Sequence, residues 1–576
     1  MGAAESSAGA HSFARRTPSS ENADISNGRL LYHITEIIMR FLPPPRLLRS
    51  SAKRELFTAL RDATAFLIYF VACSVLAKQI LRCLGDDVHT RETLLGGIFL
   101  AFLIPTRKLF LLFVLPLCML AALYGPIAYI YGQPDYQSLI SVLATNASEA
   151  AEFLSFITPS VAQRSILVLA LVLVAAWIAK RFSLQPWRNK TCVIAGVATV
   201  VLLYCPTAFF SNLTRGISVT QQDLSQLQQY VSHSSWGESS LYNPAGIEDF
   251  ILVVGESVRR DYLGAYGYPL DNTPFISRTP GILVNGLTAG DVFTVGSLRL
   301  MLTQADVASW SPRYDFNIVD LAKSAGMETI WLSNQGFIGL HDTPISSIGM
   351  RADHYSFPTM ADSSSTNFSD MVLLPKFHAF LTAKAKTPRL FVIHTIGSHP
   401  KVCRRIFDLK EHYQPASSEF ETVACYLDSI RKTDLFLQKV VDMLRQKEAD
   451  TGRKFSMLYF ADHGQVHRKM PNGYISIDNN STSFHHFEIP LLLIDSDSRE
   501  HIVQKASKYG VRFVDGLAHW IGISNRHLLS YDLFDGVSDP EDYGFPNVLA
   551  SKNPIQDPVY PPSTALKTLL PQPASR

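Results

Sequence analysis

The chain has 576 residues, of which 47% are hydrophobic and 18% charged, with a formal net charge of +2. The charged share is low for a globular protein and the mean hydropathy is +0.10, as expected when an apolar membrane portion dilutes a soluble one. A near-neutral chain without a basic patch interleaved with aromatic residues excludes nucleic acid as the partner.

Residues 1–27 are small, polar and rich in Ser and Ala. They lack the positive start and apolar core of a secretory signal, so a disordered cytoplasmic tail is expected. Residues 33–42 fit a short amphipathic helix on the membrane surface or a plain linker helix, ended by Pro43, Pro44 and Pro45. Five apolar stretches follow, centred on residues 63–81, 92–105, 109–131, 165–179 and 191–210. A bilayer core needs about 20 apolar residues. The third and fifth stretches reach that length, the first and fourth do so if flanking Lys and Arg snorkel, and the second is short.

Charge orients these stretches. Arg46, Arg49, Lys53 and Arg54, then Arg107 and Lys108, then Lys180, Arg181, Arg188 and Lys190 mark cytoplasmic segments. The loop 132–163 has Asp135, Glu149 and Glu152 but no Lys or Arg, and belongs outside. Five crossings from a cytoplasmic N-terminus put everything after residue 210 outside. Of the seven cysteines only Cys403 and Cys425 fall in that exported half, and an even pair in an oxidising compartment predicts one disulfide.

The polar stretch 211–247 carries Leu224, Leu227, Tyr230 and Val231 at helical spacing and reads as a bridging helix. The expected plan is therefore a tail at 1–55, a five-helix membrane domain at 56–210, a bridge at 211–247, a catalytic domain at 248–549 and a Pro-rich, loosely held tail at 550–576. Within the catalytic domain, residues 250–254 form an unbroken apolar, β-branched run, expected as a strand buried on both faces of a mostly parallel α/β sheet. Glu256 follows directly. The apolar runs 329–332, 390–393 and 457–460 likewise end in Ser333-Asn334-Gln335, in His394 to His399, and in Ala461-Asp462-His463-Gly464. Ligands bind at the carboxyl edge of such sheets. Glu, Asp and His delivered there together form a cation site. A hydroxyl could complete it, and coordination to a cation is one way to activate Ser or Thr. Ser257, Thr294 and Ser297 are the candidates, and spacing does not separate them. His341, His467 and His486 read as loop histidines, Ser297 as helix surface or a cap, and Tyr266 and Tyr268 as packing residues.

The stretch 253–274, Val-Val-Gly-Glu-Ser-Val-Arg-Arg-Asp-Tyr-Leu-Gly-Ala-Tyr-Gly-Tyr-Pro-Leu-Asp-Asn-Thr-Pro, resembles the opening motif of bacterial phosphoethanolamine transferases. These are membrane relatives of alkaline phosphatases and sulfatases, and they include lipid A-modifying enzymes behind polymyxin resistance. Phe293-Thr294-Val295, the segment ending in His399-Pro400, Asp462-His463-Gly464 and His485-His486-Phe-Glu-Ile-Pro490 are similar to that family's later motifs, in the same order. The resemblance implies an alkaline phosphatase/sulfatase-like domain in which Glu256, Thr294, Asp462 and His463 bind zinc and Thr294 becomes phosphorylated. It implies one zinc ion, with room for a second, rather than manganese. His399 and His485, the latter preferred over His486, would contact the phosphoethanolamine group or a second metal. Asn334, Gln335, Thr145 and Glu149 would contact the donor.

Some positions depart from the family pattern. Ser257 stands where many relatives have Thr, Gln465 where an acid is frequent, Leu340 where some have a basic residue and Ser141 where some have Asn. The long gap from His463 to His485 resembles the branch acting on the lipopolysaccharide core. The implied reaction moves phosphoethanolamine from phosphatidylethanolamine to lipopolysaccharide, core sugar or lipid A, or to another periplasmic glycan, and releases diacylglycerol. It would be carried out by a monomer in the inner membrane. Two alternatives stand beside it: a glycerol-phosphate transferase like lipoteichoic acid synthases, and a membrane sensor or assembly protein with a degenerate hydrolase domain.

Overall fold

The computed structural model describes residues 50–85, 90–131, 133–134, 139, 159–184, 209–218, 220–221, 225, 233–335, 344–357, 369–400, 402–410, 412–470, 473–478 and 482–567. The chain divides into two compact units: residues 1–77, 93–116 and 170–201 in one, and residues 78–92, 117–169 and 202–576 in the other. Three helices among the described residues are long and apolar enough to cross a membrane, Leu56–Cys83, Arg107–Ala128 and Ala162–Arg181. They fall on the first, third and fourth predicted stretches. The second is the helix Thr90–Leu103, about 21 Å long and so short of a hydrocarbon core of about 30 Å. Most of the fifth stretch, and the helical pattern from Leu224 to Val231, lie outside the described residues.

In the first unit the helix Thr90–Leu103 packs through its glycines. A Cβ on Gly97 would fall 2.2 Å from Ser74 Oγ, and one on Gly96 would fall 2.8 Å from Ala77 Cβ. Small residues allow this approach, as they do between membrane helices generally. The buried Tyr69 hydroxyl donates to the Ala101 carbonyl at 3.0 Å, which satisfies a group that hydrocarbon could not.

The second unit contains twelve strands among its described residues: β1 (Ser240–Leu241), β2 (Ile247–Gly255), β3 (Gly281–Thr288), β4 (Glu328–Ser333), β5 (His354–Ser356), β6 (Arg389–His394), β7 (Lys454–Ala461), β8 (Val466–Lys469), β9 (Ile475–Asp478), β10 (Glu488–Asp495), β11 (His501–Tyr509) and β12 (Ile523–Ser524). Eight form one sheet in the order β11-β3-β10-β7-β2-β6-β4-β5, while β1 pairs with β12 and β8 with β9. The sheet is mixed. β10 runs antiparallel to β3 and β7, and the remaining pairings are parallel.

β2 lies at the centre because Phe250 to Val254 are apolar on both faces and all are buried. Its neighbours β6 and β7 run parallel to it, with Val254 opposite His394 and Gly255 opposite Ala461. Strands in parallel register end together, so Glu256, the segment after His394 and the Asp462-His463 pair emerge at one edge. Gly255 is required here, since a Cβ would meet the Tyr459 ring at 2.7 Å.

The helix Glu421–Thr451 covers the sheet and buries Tyr426, Asp428, Ser429, Lys432 and Asp434 along with its apolar residues. Cys425 on this helix is disulfide-bonded to Cys403. The expectation of a loosely held C-terminal tail does not hold for residues 553–567. Ile555 N–H donates to the Thr482 carbonyl at 2.8 Å, Tyr560 N–H to the Tyr262 hydroxyl at 2.9 Å, and Asp557, Ala565 and Leu566 are buried. Proline-rich composition suggested looseness, but buried polar and apolar contacts fix the segment.

Candidate active site

Where β2 ends, the backbone turns sharply. Ser257 has φ +61°, a left-handed conformation that a side chain occupies only when its surroundings enforce it. Its N–H donates to Asp462 Oδ1 at 2.9 Å, its hydroxyl to Glu256 Oε1 at 2.6 Å, and its carbonyl accepts from the Tyr426 hydroxyl at 2.9 Å. Gly397 has φ +38° and lies so close to Glu256 that a Cβ would reach the Glu256 carbonyl oxygen at 2.9 Å. The strand end is therefore held from three sides.

Thr294 opens the helix Thr294–Met301. Ser297, expected at the helix surface or as a cap, is instead fully buried. Its hydroxyl donates to the Asp462 carbonyl at 2.6 Å and accepts from Gly290 N–H at 3.1 Å, which ties the helix to the Asp462 loop. This brings the Thr294 hydroxyl within 3.1 Å of Glu256 Oε2 and 3.4 Å of His463 Nε2.

Glu256, Asp462 and His463 are fully buried, and each offers a ligand atom within 4.8 Å of the others. His463 Nδ1 lies 2.6 Å from the Gly464 carbonyl. A carbonyl only accepts, so Nδ1 carries the proton and Nε2 presents its lone pair. That lone pair lies 3.3 Å from Asp462 Oδ2 and 3.7 Å from Glu256 Oε1. Among the described residues, Asp462 Oδ2 has no hydrogen-bond donor. Burial and the neighbouring Asp462 carboxylate push Glu256 up to about 8, and burial pushes Asp462 up to about 6. Two crowded carboxylates, one with an orphaned oxygen, and an imidazole lone pair converge, and among the described residues no lysine or arginine pairs with them. A divalent cation fits this set, and the Thr294 hydroxyl lies beside it.

Of the remaining predicted residues, Asn334, Gln335, His399 and His485 are among the described residues. Gln335 donates its amide to Glu256 Oε2 at 2.6 Å and to the Thr395 carbonyl at 2.9 Å. Asn334 is buried and donates to Asp370 Oδ1 at 2.9 Å. His399 is half-buried with Nδ1 at 3.2 Å from Arg405 Nη2, and desolvation with the Arg405 charge holds its imidazole below the usual range. His485 Nδ1 lies 2.6 Å from Glu488 Oε2 and 3.3 Å from Asp261 Oδ2. His486, expected as a loop histidine, is fully buried, with its ring 6.5 Å from that of His463. Thr145, Glu149, Ser141, Leu340 and His341 lie outside the described residues.

Sequence reasoning missed Asp370. Its carboxylate accepts from Asn334, from Ile396 N–H at 2.8 Å and from Gly397 N–H at 2.9 Å, so it braces the turn that packs on Glu256. It also missed Arg259, Tyr426 and Asp557 behind the ligand loops. The second Arg of the Arg259-Arg260-Asp261 run looked no different from the first.

The sulfatase family profile matches residues 248–523. A Haemophilus influenzae protein named "Putative phosphoethanolamine transferase" is 38% identical over 413 residues, 70% of this chain and 84% of the relative. Phosphoethanolamine transferase OpgE of Escherichia coli is 29% identical, over 71% of this chain and 80% of its own length. Phosphoethanolamine transferase EptC of the same species is 24% identical, over 81% and 89%. Among solved structures, the integral membrane lipooligosaccharide phosphoethanolamine transferase A of Neisseria meningitidis shares the fold, with a TM-score of 0.54 at 19% identity over 81% of this chain and 96% of its own. The profile covers the residues that build the site and the first relative covers most of the chain, so this protein belongs to the phosphoethanolamine transferase family, with a sulfatase-like soluble domain.

Proposed function

We propose that the protein transfers phosphoethanolamine from phosphatidylethanolamine to a lipopolysaccharide acceptor, a core sugar or lipid A, with Thr294 as nucleophile. The observation that carries this reading is the Thr294 hydroxyl, 3.1 Å from Glu256 and 3.4 Å from His463, at the start of a helix. Glu256, Thr294, Asp462 and His463 would hold a zinc ion, which when bound lowers the pKa of a hydroxyl and neutralises charge on a phosphoryl group. An imidazole among the donors suits zinc better than manganese.

The chain's own residues then account for positioning and proton movement. The first-turn N–H groups of the Thr294 helix face an incoming phosphate. As the Thr294 hydroxyl gives up its proton and its oxygen bonds to phosphorus, the bond from phosphorus to the diacylglycerol oxygen breaks and that oxygen takes a proton. In the second step an acceptor hydroxyl loses its proton as it bonds to phosphorus, and Thr294 leaves and is reprotonated. His399 and His485 serve as proton donor and acceptor for these oxygens. Gln335 fixes Glu256, while Asn334, Thr145 and Glu149 belong to the donor side. Three helices of crossing length support an inner-membrane protein, and the alternating charge of the segments between the apolar stretches supports five crossings, a cytoplasmic N-terminus and a periplasmic catalytic domain. That domain begins at 248 and, given the docked C-terminal segment, extends to 567 rather than 549.

The test is incubation of the purified chain in mixed micelles with ethanolamine-labelled phosphatidylethanolamine and lipopolysaccharide. Diacylglycerol release with label in the lipopolysaccharide is expected. Label that passes instead to a periplasmic glucan supplied beside it would change the acceptor. Transfer of glycerol phosphate from phosphatidylglycerol, with phosphatidylethanolamine untouched, would overturn the reading.

A further inference from the structure

We propose that Asp557, in the C-terminal segment, is a positioning residue that ties the two ligand loops of the metal centre, after Glu256 and after Asp462-His463, to the His485-His486 segment and raises the affinity of the site for a divalent cation. This rests on the reading of Glu256, Asp462 and His463 as metal ligands.

Asp557 is buried, with no exposure of its side chain. Oδ2 accepts from Arg259 Nη1 at 2.7 Å and from the Ser483 hydroxyl at 2.9 Å, and Oδ1 accepts from His467 N–H at 3.1 Å. Each partner belongs to a different site loop. Arg259 follows Glu256, His467 follows Asp462-His463, and Ser483 precedes His485 and His486. One carboxylate therefore joins three segments that are far apart in sequence.

Arg259 extends the same connection inward. Its side chain is fully buried, and Nη1 also reaches His467 Nδ1 at 2.7 Å and the Gln465 carbonyl at 3.3 Å. Its Cγ lies where a Cβ on Gly464 would come within 2.7 Å, so the Asp462-His463-Gly464 turn rests directly on it. Its backbone N–H donates to the Tyr426 hydroxyl at 2.9 Å, the group that also holds Ser257. The segments that follow Glu256 and Asp462 are thus both tied to Arg259.

Charge gives the second half of the argument. A buried guanidinium beside a site for a divalent cation works against metal binding unless it is overcompensated. Arg259 meets two carboxylates, Asp261 and Asp557. The side chain of Asp261 is 21% exposed and that of Asp557 is not exposed at all, so the field of Asp557 is screened least. Replacing it by Asn keeps the shape, removes the surplus negative charge and weakens the link between loops.

The experiment is zinc affinity by competition with a chromophoric chelator, on the full chain in detergent, for wild type and Asp557→Asn. The expected result is affinity about tenfold or more weaker in Asp557→Asn, the usual consequence of losing an outer support of a metal site. By linkage, zinc must in turn tighten the segment that tightens zinc. Hydrogen exchange at the amides of His467, Ile555 and Tyr560 in wild type is therefore expected to slow when zinc is added. This measurement needs no variant, so it decides the matter if Asp557→Asn fails to fold. Unchanged zinc affinity in a folded Asp557→Asn, or exchange indifferent to zinc in wild type, would overturn the assignment and leave Asp557 as an anchor for the tail alone. A wild-type chain that binds no zinc would overturn the metal reading itself, and this role for Asp557 with it.

Discussion

At the amino end of β2, the buried Asp249 carboxylate receives Arg389 Nε at 2.7 Å and Nη2 at 2.9 Å, with Arg453 Nη2 at 2.9 Å. At the carboxyl end of the same strand, Glu256 receives two hydroxyls and an amide. Among the described residues, neither it nor Asp462 forms an ion pair with a lysine or arginine. Burial alone would raise Asp249, yet its two arginines hold it below the usual carboxylate range. Glu256 and Asp462, with no such partners, are pushed up. The lesson is about reading buried acids. One surrounded by guanidinium groups joins secondary structure elements, whereas a pair left facing each other with an orphaned oxygen is built for a cation.

Thr294→Ala should break the functional end most completely. Transfer should fall by about a thousandfold or more, while the melting temperature stays close to wild type. Normal transfer by this variant would remove Thr294 from the chemistry. At the other end of β2, Asp249→Ala leaves the Arg389 charge buried with no carboxylate, and should cost about 3–5 kcal/mol in urea unfolding. The zinc stoichiometry of the folded fraction should not change. Asp462→Asn should do the reverse: it should abolish stoichiometric zinc and leave the metal-free protein as stable as wild type or more so, because it relieves the crowding of like charges. If both substitutions cost the same stability, the contrast between the two ends is false.

Replacing Cys403 and Cys425 together by Ser should cost about 2–4 kcal/mol for a closed loop of this size, measured by the same unfolding curves under oxidising conditions. The pH dependence sharpens the comparison in a more graded way. Glu256 is raised from 4.5 to about 8, so the folded metal-free state keeps a proton that the unfolded chain gives up. Its contribution to stability is present in full below pH 4.5 and is lost as pH rises toward 8. Zinc needs the carboxylates ionised, so the rise in melting temperature on adding zinc should grow across that same window. A zinc effect that shrinks with rising pH would contradict this. The smallest effect is expected from Gln335→Ala, which loosens Glu256 without removing a ligand. About a tenfold loss of zinc affinity is the expected upper limit, read by chelator competition.

What the sequence made legible was local. The runs at 250–254, 329–332, 390–393 and 457–460 are apolar on both faces and coincide with β2, β4, β6 and β7. The polar residues at their ends converge because parallel strands in register end together. The helix beginning at Thr294 was equally readable. The supports behind these residues were not. Asp557 meets Arg259 across 298 positions, and Asp370 meets Asn334 across 36 and also reaches the 396–397 turn. No periodicity marks such pairs. Ser297 looked like an ordinary helix-surface hydroxyl because its burial comes from the Asp462 loop lying over it, and His486 looked like a loop histidine because a short 3-10 turn carries it. The second apolar stretch reads as short in the sequence, and its helix is 14 residues long.

The central claim is that Thr294 is the oxygen that takes up the phosphoryl group. The most direct measurement is peptide mass spectrometry of the full chain after incubation with phosphatidylethanolamine and no acceptor. The account predicts the added mass of a phosphoethanolamine group on the Thr294 peptide, localised to Thr294 by fragmentation. Diacylglycerol released with the group on Ser257 or Ser297, or on no residue of the chain, would contradict it.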